Sequence, residues 1–301
     1  RSRVLADVTH VATEGHLLGR SLRIPVVLSP IGSLDLVAAE GVAASAAAAG
    51  TYGTIAFVSS GGTIPLADLA DHAGHVVWQV YGRGSRDWLL EQAELARSFG
   101  CLGICLTADV PWYGRRERDL RRAYIPPGGG LHRAGHGHPI TWGDVDALVA
   151  RGDLPVILKG VTTVEDATAA AERGVKVVYV SNHGGRQLDQ GEATVDVLAG
   201  IVDAVAGRAE VVMDGGILRG TDVVKALARG ANAVAIGKLQ ALSLAAGGAP
   251  ALVNALEILE DEIHTALGLM GASAPSQLSP ANLRPAPVVT GLPHPIEALL
   301  G

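Results

Sequence analysis

A parallel (β/α)8 barrel is the architecture this sequence predicts, and three observations predict it. Eight short apolar runs recur along the 301 residues. Helix-like segments separate them. Nearly every run ends in a hydrogen-bonding or charged residue. Each run is too short for a helix and too apolar for a half-exposed strand, which is how parallel strands buried on both faces read. An open, doubly wound sheet has the same strand–helix rhythm, and periodicity alone does not separate the two.

The runs lie at 26–28, 54–58, 76–80, 103–106, 156–158, 177–180, 211–213 and 233–236. Between them, residues 86–99 carry apolar side chains at helical spacing. Residues 164–173 form a second helix, opened by the cap candidates Thr162 and Thr163 and stopped at Gly174. A third, 222–229, stops at Gly230. After the eighth run, 239–267 reads as helical with a break at Gly247 and Gly248. The rhythm is interrupted once, by Pro126, Pro127 and three glycines in a loop of about 120–140 expected to be mobile. A tail at about 271–301, rich in Pro and Ser, is expected to wrap the surface. No boundary interrupts the barrel, so residues 1–301 read as a single domain.

Composition narrows the function classes. Twenty-four basic against 30 acidic residues give a net charge of −6, not the basic surplus of a nucleic-acid binder. Two cysteines exclude a disulfide scaffold, and the C-x3-C spacing of Cys101 and Cys105 reads as buried thiols rather than a zinc site. The longest uncharged stretch, 41–67, is broken by Gly, Ser, Thr and Pro, so no membrane span is expected. His132, His136 and His138 cluster in the loop and read as solvated. The opening RSRVLADVTH is not a signal peptide. The expectation is a soluble, cytoplasmic protein.

Chemistry in such a barrel sits at the C-terminal ends of the strands. There the sequence places Ser29 and Pro30, Ser59 and Ser60, Gln79 and Tyr81, Thr107 and Asp109, Lys159, Ser181 with Asn182 and His183, Asp214, and Gly237 with Lys238. A ring this complete suits a polar ligand in the barrel mouth. In SNHGGRQLD, His183 suits a general base and Arg186 a carboxylate clamp, against the alternative of a capped turn with a surface histidine. In TADVPWYGRRERD, Asp109 suits a partner for His183. Arg116 is either a second guanidinium or part of a basic loop paired with Glu117 and Asp119. Lys159 is either an ammonium facing a cofactor or a strand-end lysine in solvent. Gly215, Gly216 and Gly237 follow the last two strands, where barrels commonly hold phosphate, or else make ordinary tight turns.

TADVPWYGRRERD, LKG, SNHGGRQLD and DGGI, in this order, resemble the FMN-dependent 2-hydroxy acid oxidase and dehydrogenase family. That family includes glycolate oxidase, lactate oxidase and mandelate dehydrogenase. The resemblance runs from RVLADV to the stretch at Leu269–Ala272. It implies oxidation of a 2-hydroxy carboxylate to the 2-oxo acid with FMN as cofactor. His183 would be the base and Asp109 its partner. Arg186 and Arg116 would bind the substrate carboxylate, and Tyr81 its oxygens. Pro30, Ile31 and Gly32 would lie beside the flavin ring, and Ser59, Gln79, Thr107 and Lys159 would bond its polar edge. Ser181, Asp214, Gly215, Gly216, Arg219, Gly237 and Lys238 would complete the flavin site toward the ribityl chain and phosphate. Oxygen, a quinone or a cytochrome would reoxidise the flavin, and a homotetramer is the assembly the family suggests. Other FMN-barrel chemistry (isomerisation, oxidative decarboxylation) and a non-catalytic binding protein are the alternatives.

The sequence also departs from the family. Members carry a longer N-terminal segment with a substrate-binding tyrosine, and a longer loop after the fourth strand. The expectation is a trimmed member or a sequence with further residues before it. Leu218 stands where the family has arginine, and Arg219 follows it. Lys238 replaces another arginine. Gly61 stands where some members place a bulky aromatic, which predicts a roomier pocket. Trp112 and Tyr113 either line that pocket or cover a loop.

Overall fold

The computed structural model describes residues 1–124 and 139–286. The prolines and glycines at 126–130, the loop histidines and the tail from 287 onward lie outside the described residues. The chain opens with a two-stranded antiparallel hairpin, β1 (Gly15–Leu17) and β2 (Arg20–Leu22). The barrel strands follow: β3 (Val26–Leu28), β4 (Ala56–Ser59), β5 (Val76–Val80), β6 (Gly103–Thr107), β7 (Val156–Val161), β8 (Val177–Val180), β9 (Glu210–Asp214) and β10 (Ala233–Ile236). They pair in parallel in chain order, and β10 pairs with β3 to close the barrel. Closure removes the open-sheet alternative.

Among the described residues, seven α-helices of nine residues or more surround or flank the barrel: α1 (Gly41–Tyr52), α2 (Arg86–Ser98), α4 (Trp142–Arg151), α5 (Val164–Glu172), α6 (Thr194–Val205), α7 (Gly220–Ala228) and α8 (Lys238–Met270), with a short α3 (Glu117–Arg121) after α2. Hydroxyl caps open α2 and α5. Ser85 accepts from the Trp88 amide at α2, and Thr163 accepts from the Asp166 amide at α5. The break inside α8 falls at Gly247 and Gly248, as the glycine pair predicts. Length and composition alone would let α8 cross a membrane. Its leucines account for that composition differently: Leu244, Leu252, Leu256, Leu259 and Leu267 pack into the core between helices and barrel.

The strands divide their side chains by the two-residue period of the pleat. Val26, Leu28, Val58, Trp78, Ile104 and Leu158 face the helices. Val27, Phe57, Val77, Cys105, Ile157, Tyr179, Val212 and Ala235 fill the barrel interior, and Leu17 and Leu22 of the hairpin join that same cluster. The hairpin therefore packs onto the barrel's inner core. Cys101 and Cys105 are free and buried, as expected, and no metal-binding cluster occurs among the described residues.

Candidate active site

The polar ring is the next inward layer of the same pleat. Two residues beyond Val27, Phe57, Val77, Cys105, Ile157, Tyr179, Val212 and Ala235 come Ser29, Ser59, Gln79, Thr107, Lys159, Ser181, Asp214 and Gly237. The side chains that are apolar deep in the barrel turn polar at its C-terminal end, all around the circle. Ser59, Gln79, Thr107, Lys159, Ser181 and Asp214 are all buried.

Buried polar groups need partners. Gln79 Nε2 donates to Thr107 Oγ1 at 2.8 Å, and Lys159 Nζ donates to Ser181 Oγ at 2.9 Å. Lys159 also lies 3.9 Å from Asp214 Oδ2 and 5.3 Å from the centre of the Tyr179 ring, so it is not a lysine in solvent. Burial pulls its pKa down, but the carboxylates of Asp214 and Asp109 outweigh burial, and the ammonium is held above the ordinary lysine range. Among the described residues Gln79 Oε1, Asp214 Oδ1 and the adjacent Ser60 Oγ stay without a partner. Unsatisfied buried atoms at one end of a barrel mark where a polar ligand completes the network.

Beyond the ring stands the proton-handling pair. His183 Nδ1 lies 3.1 Å and 3.3 Å from the two oxygens of Asp109. The His183 amide donates to Ser181 Oγ, the oxygen that also receives Lys159. His183 has φ +58°, a left-handed conformation uncommon outside glycine, held here by that network. Burial lowers the His183 pKa most. The Asp109 hydrogen bond opposes it, the Lys159 ammonium reinforces it, and the net is below the ordinary histidine range. Burial would raise the Asp109 carboxyl, but its bond to His183 and the charge of Lys159 hold it below the usual carboxylate range. Asp109 is thus a carboxylate that orients the imidazole and leaves Nε2 free.

Gly160 makes this pair possible. It has φ +104°, sits at a shift of register between β7 and β8, and gives Asp109 room. A Cβ there would stand 2.6 Å from Asp109 Cβ and 2.7 Å from Cγ. Gly160→Ala is therefore expected to lower stability by about 3 kcal/mol, the combined effect of left-handed strain and overpacking. Urea unfolding measures this, and an unchanged midpoint would show that Asp109 moves freely.

Two guanidiniums join the histidine. Arg186 Nε donates to the His183 carbonyl at 3.1 Å, and burial followed by the nearby Arg116 charge lowers the Arg186 pKa. Arg116 lies 4.1 Å over the Tyr113 ring. The loop pairing that the sequence left open falls to Arg115, whose Nε meets Glu117 at 2.7 Å. No salt bridge occupies Arg116, and its buried Nε has no partner among the described residues. Tyr113 underlies Arg116, whereas Trp112 is exposed.

Gln187 is a positioning residue that the sequence reading passed over, although it adjoins Arg186. Its Nε2 donates to the Asp109 carbonyl at 2.7 Å and the Trp112 carbonyl at 2.9 Å. The Gly114 backbone lies so near that a Cβ would be 2.3 Å from the Arg186 carbonyl. Gln187 and Gly114 together clasp the loop after β8 to the loop after β6. An amide flanked by three charged or catalytic candidates was the available signal.

Arg219 is a correction. Its guanidinium is taken by Glu262 of α8 and its side chain is largely exposed, so it does not serve as a free anion donor. The cause is local: Arg219 is the N-cap of α7, one residue beyond Leu218, and points to the outer helix. Gly237 and Lys238 stand where expected, at the N-terminus of α8.

Comparison with known proteins agrees with this geometry. The family described as FMN-dependent dehydrogenase matches residues 1–285. The 4-hydroxymandelate oxidase of Amycolatopsis orientalis is 37% identical over 294 residues, covering 90% of this chain and 82% of that protein. The L-lactate oxidase of Nostoc sp. is 37% identical over 302 residues, covering 91% and 83%. A crystal structure of mandelate oxidase superposes with a TM-score of 0.87 at 37% identity, covering 92% of this chain and 83% of that one. A closed barrel, a polar mouth and these matches place the chain in the FMN-dependent 2-hydroxy acid oxidase and dehydrogenase family.

Proposed function

We propose that the protein oxidises a small 2-hydroxy carboxylic acid to its 2-oxo acid with His183 as the base. The observation that carries this is the His183–Asp109 pair at 3.1 Å beside Arg116 and Arg186, neither of which has a salt bridge among the described residues. FMN is the family's cofactor, and the donor set suits it. Gln79 Oε1 and Asp214 Oδ1 are buried acceptors awaiting donors. Ser59, Thr107 and Lys159 would meet the polar edge of the ring, with Pro30, Ile31 and Gly32 beside it. Ser181 would act by holding Lys159. Asp214, Gly215 and Gly216 would hold the ribityl chain, and Gly237 and Lys238 the phosphate. When bound, FMN accepts the two electrons that the substrate loses.

The chain's own residues do the rest. Arg186 and Arg116 hold the substrate carboxylate, and Tyr81 contacts its oxygens. That fixes the C2 carbinol against His183 Nε2. His183 takes a proton from the carbinol, and the Asp109 carboxylate stabilises the imidazolium that forms. Lys159 offsets negative charge gathering at the polar edge of the cofactor site. Oxygen is the acceptor we propose, supported by the oxidase names of the relatives. The balance is one 2-hydroxy acid and one O2 giving one 2-oxo acid and one H2O2. Equal yields of 2-oxo acid and peroxide test it. Product without peroxide in air would remove oxygen as the acceptor.

A pH dependence follows. Proton abstraction needs neutral His183, whose pKa lies below the ordinary histidine range chiefly through burial. kcat/KM is expected to rise with pH through an inflection on the acid side of that range and then level. An inflection well on the alkaline side would contradict the assignment.

A further inference from the structure

We propose that Arg83 selects a substrate carrying a second carboxylate, a 2-hydroxy dicarboxylic acid. This rests on the substrate assignment of Tyr81, Arg116 and Arg186 made above.

Arg83 follows β5, two residues beyond Tyr81. Its guanidinium carbon lies 5.6 Å from the centre of the Tyr81 ring. Its Nη2 lies 3.4 Å from the point a Cβ on Gly61 would occupy, and Tyr81 Cε2 is equally near. Ser59 Oγ is 3.2 Å from that point. The space beside Gly61 is therefore not the empty room that the sequence predicts. It is bounded by a cation, an aromatic edge and a hydroxyl of the polar ring.

Arg83 has no anion. Arg23 pairs with Glu260, Arg86 with Asp144, Arg97 with Glu94 and Arg219 with Glu262. Among the described residues no carboxylate reaches Arg83, and its Nε is buried without a hydrogen-bond partner. Ser60 Oγ, next to Gly61, is likewise buried and unpartnered. A half-buried guanidinium forfeits hydration and recovers it best from a carboxylate. Arg116 and Arg186 provide for one carboxylate. Arg83, on the Gly61 side of Tyr81, provides for another. A wall that an aromatic side chain would make apolar becomes a cationic one, which admits an anionic substituent and gives an uncharged one nothing in return.

The test uses FMN-loaded protein and anaerobic flavin reduction. Racemic malate and 2-hydroxyglutarate are compared with 2-hydroxybutanoate and 2-hydroxypentanoate, in the wild type, Arg83→Met and Arg83→Lys. The wild type is expected to favour the diacids, and Arg83→Met to lower the diacid-to-monoacid ratio of kcat/KM about 30-fold, as one charged hydrogen-bonded contact predicts. Arg83→Lys should restore part of that ratio. Monoacids preferred by the wild type would overturn the role of Arg83 alone. So would an unchanged ratio in Arg83→Met, or an equal loss for both classes. Reduction by neither class would overturn the 2-hydroxy acid reading and this assignment with it.

Discussion

His183→Ala is expected to lower the rate of anaerobic flavin reduction by about 10^4-fold while the protein still binds FMN. The imidazole is the group that the structure sets up to receive a proton: Nδ1 is committed to Asp109, and Nε2 is left free. The amide of residue 183, not its side chain, contacts Ser181. Alanine therefore leaves the support of Lys159 in place and should leave the cofactor site standing. Alanine is less at ease than histidine in the left-handed backbone at φ +58°, a cost of about 1 kcal/mol that a folded barrel absorbs, so folding should survive. Stopped-flow absorbance separates the two effects, because bound flavin is counted before substrate is added. Flavin reduction within tenfold of the wild type would remove His183 as the base.

Arg186→Lys comes second. A guanidinium grips a carboxylate with two parallel N–H donors, and an ammonium offers a point charge on a different stem. Desolvation and the neighbouring Arg116 charge lower the Arg186 pKa, and its Nε is already spent on the His183 carbonyl. Lysine loses both the grip and the tether. kcat/KM is expected to fall about 10^2 to 10^3-fold, with KM raised and kcat lowered, since a loosely held carboxylate also misplaces the carbinol. Unchanged kinetics would take Arg186 out of the substrate site.

Much of this was legible before any coordinates. The eight strands, the cap at Thr163 and the α8 break were readable because each depends on local chemistry: apolar runs, a hydroxyl cap, paired glycines. The hairpin was not. Its strands have only three residues each, and their leucines acquire meaning only when Leu17 and Leu22 pack inside the barrel. Helix α1 was missed because its alanines and glycines present no apolar stripe, being buried on several sides.

The site divides the same way. A ring of polar residues at strand ends follows from the pleat, so composition at each strand end was informative. Which arginine does what was not, because that depends on neighbours far along the chain. Glu117 takes Arg115 and leaves Arg116, while Glu262 takes Arg219. Arg83 gains its place from Gly61, 22 positions earlier in the sequence. Spacing cannot show such pairings.

The central claim is that substrate electrons reach bound FMN from a 2-hydroxy acid held against His183. The most direct measurement is the visible flavin spectrum of the FMN-loaded protein before and after anaerobic addition of 2-hydroxy acids, mono- and dicarboxylic, aliphatic and aromatic. Bleaching of the flavin bands, with one 2-oxo acid formed for each flavin reduced, is the predicted result. A fully loaded flavin left unbleached by every member of that panel would contradict it.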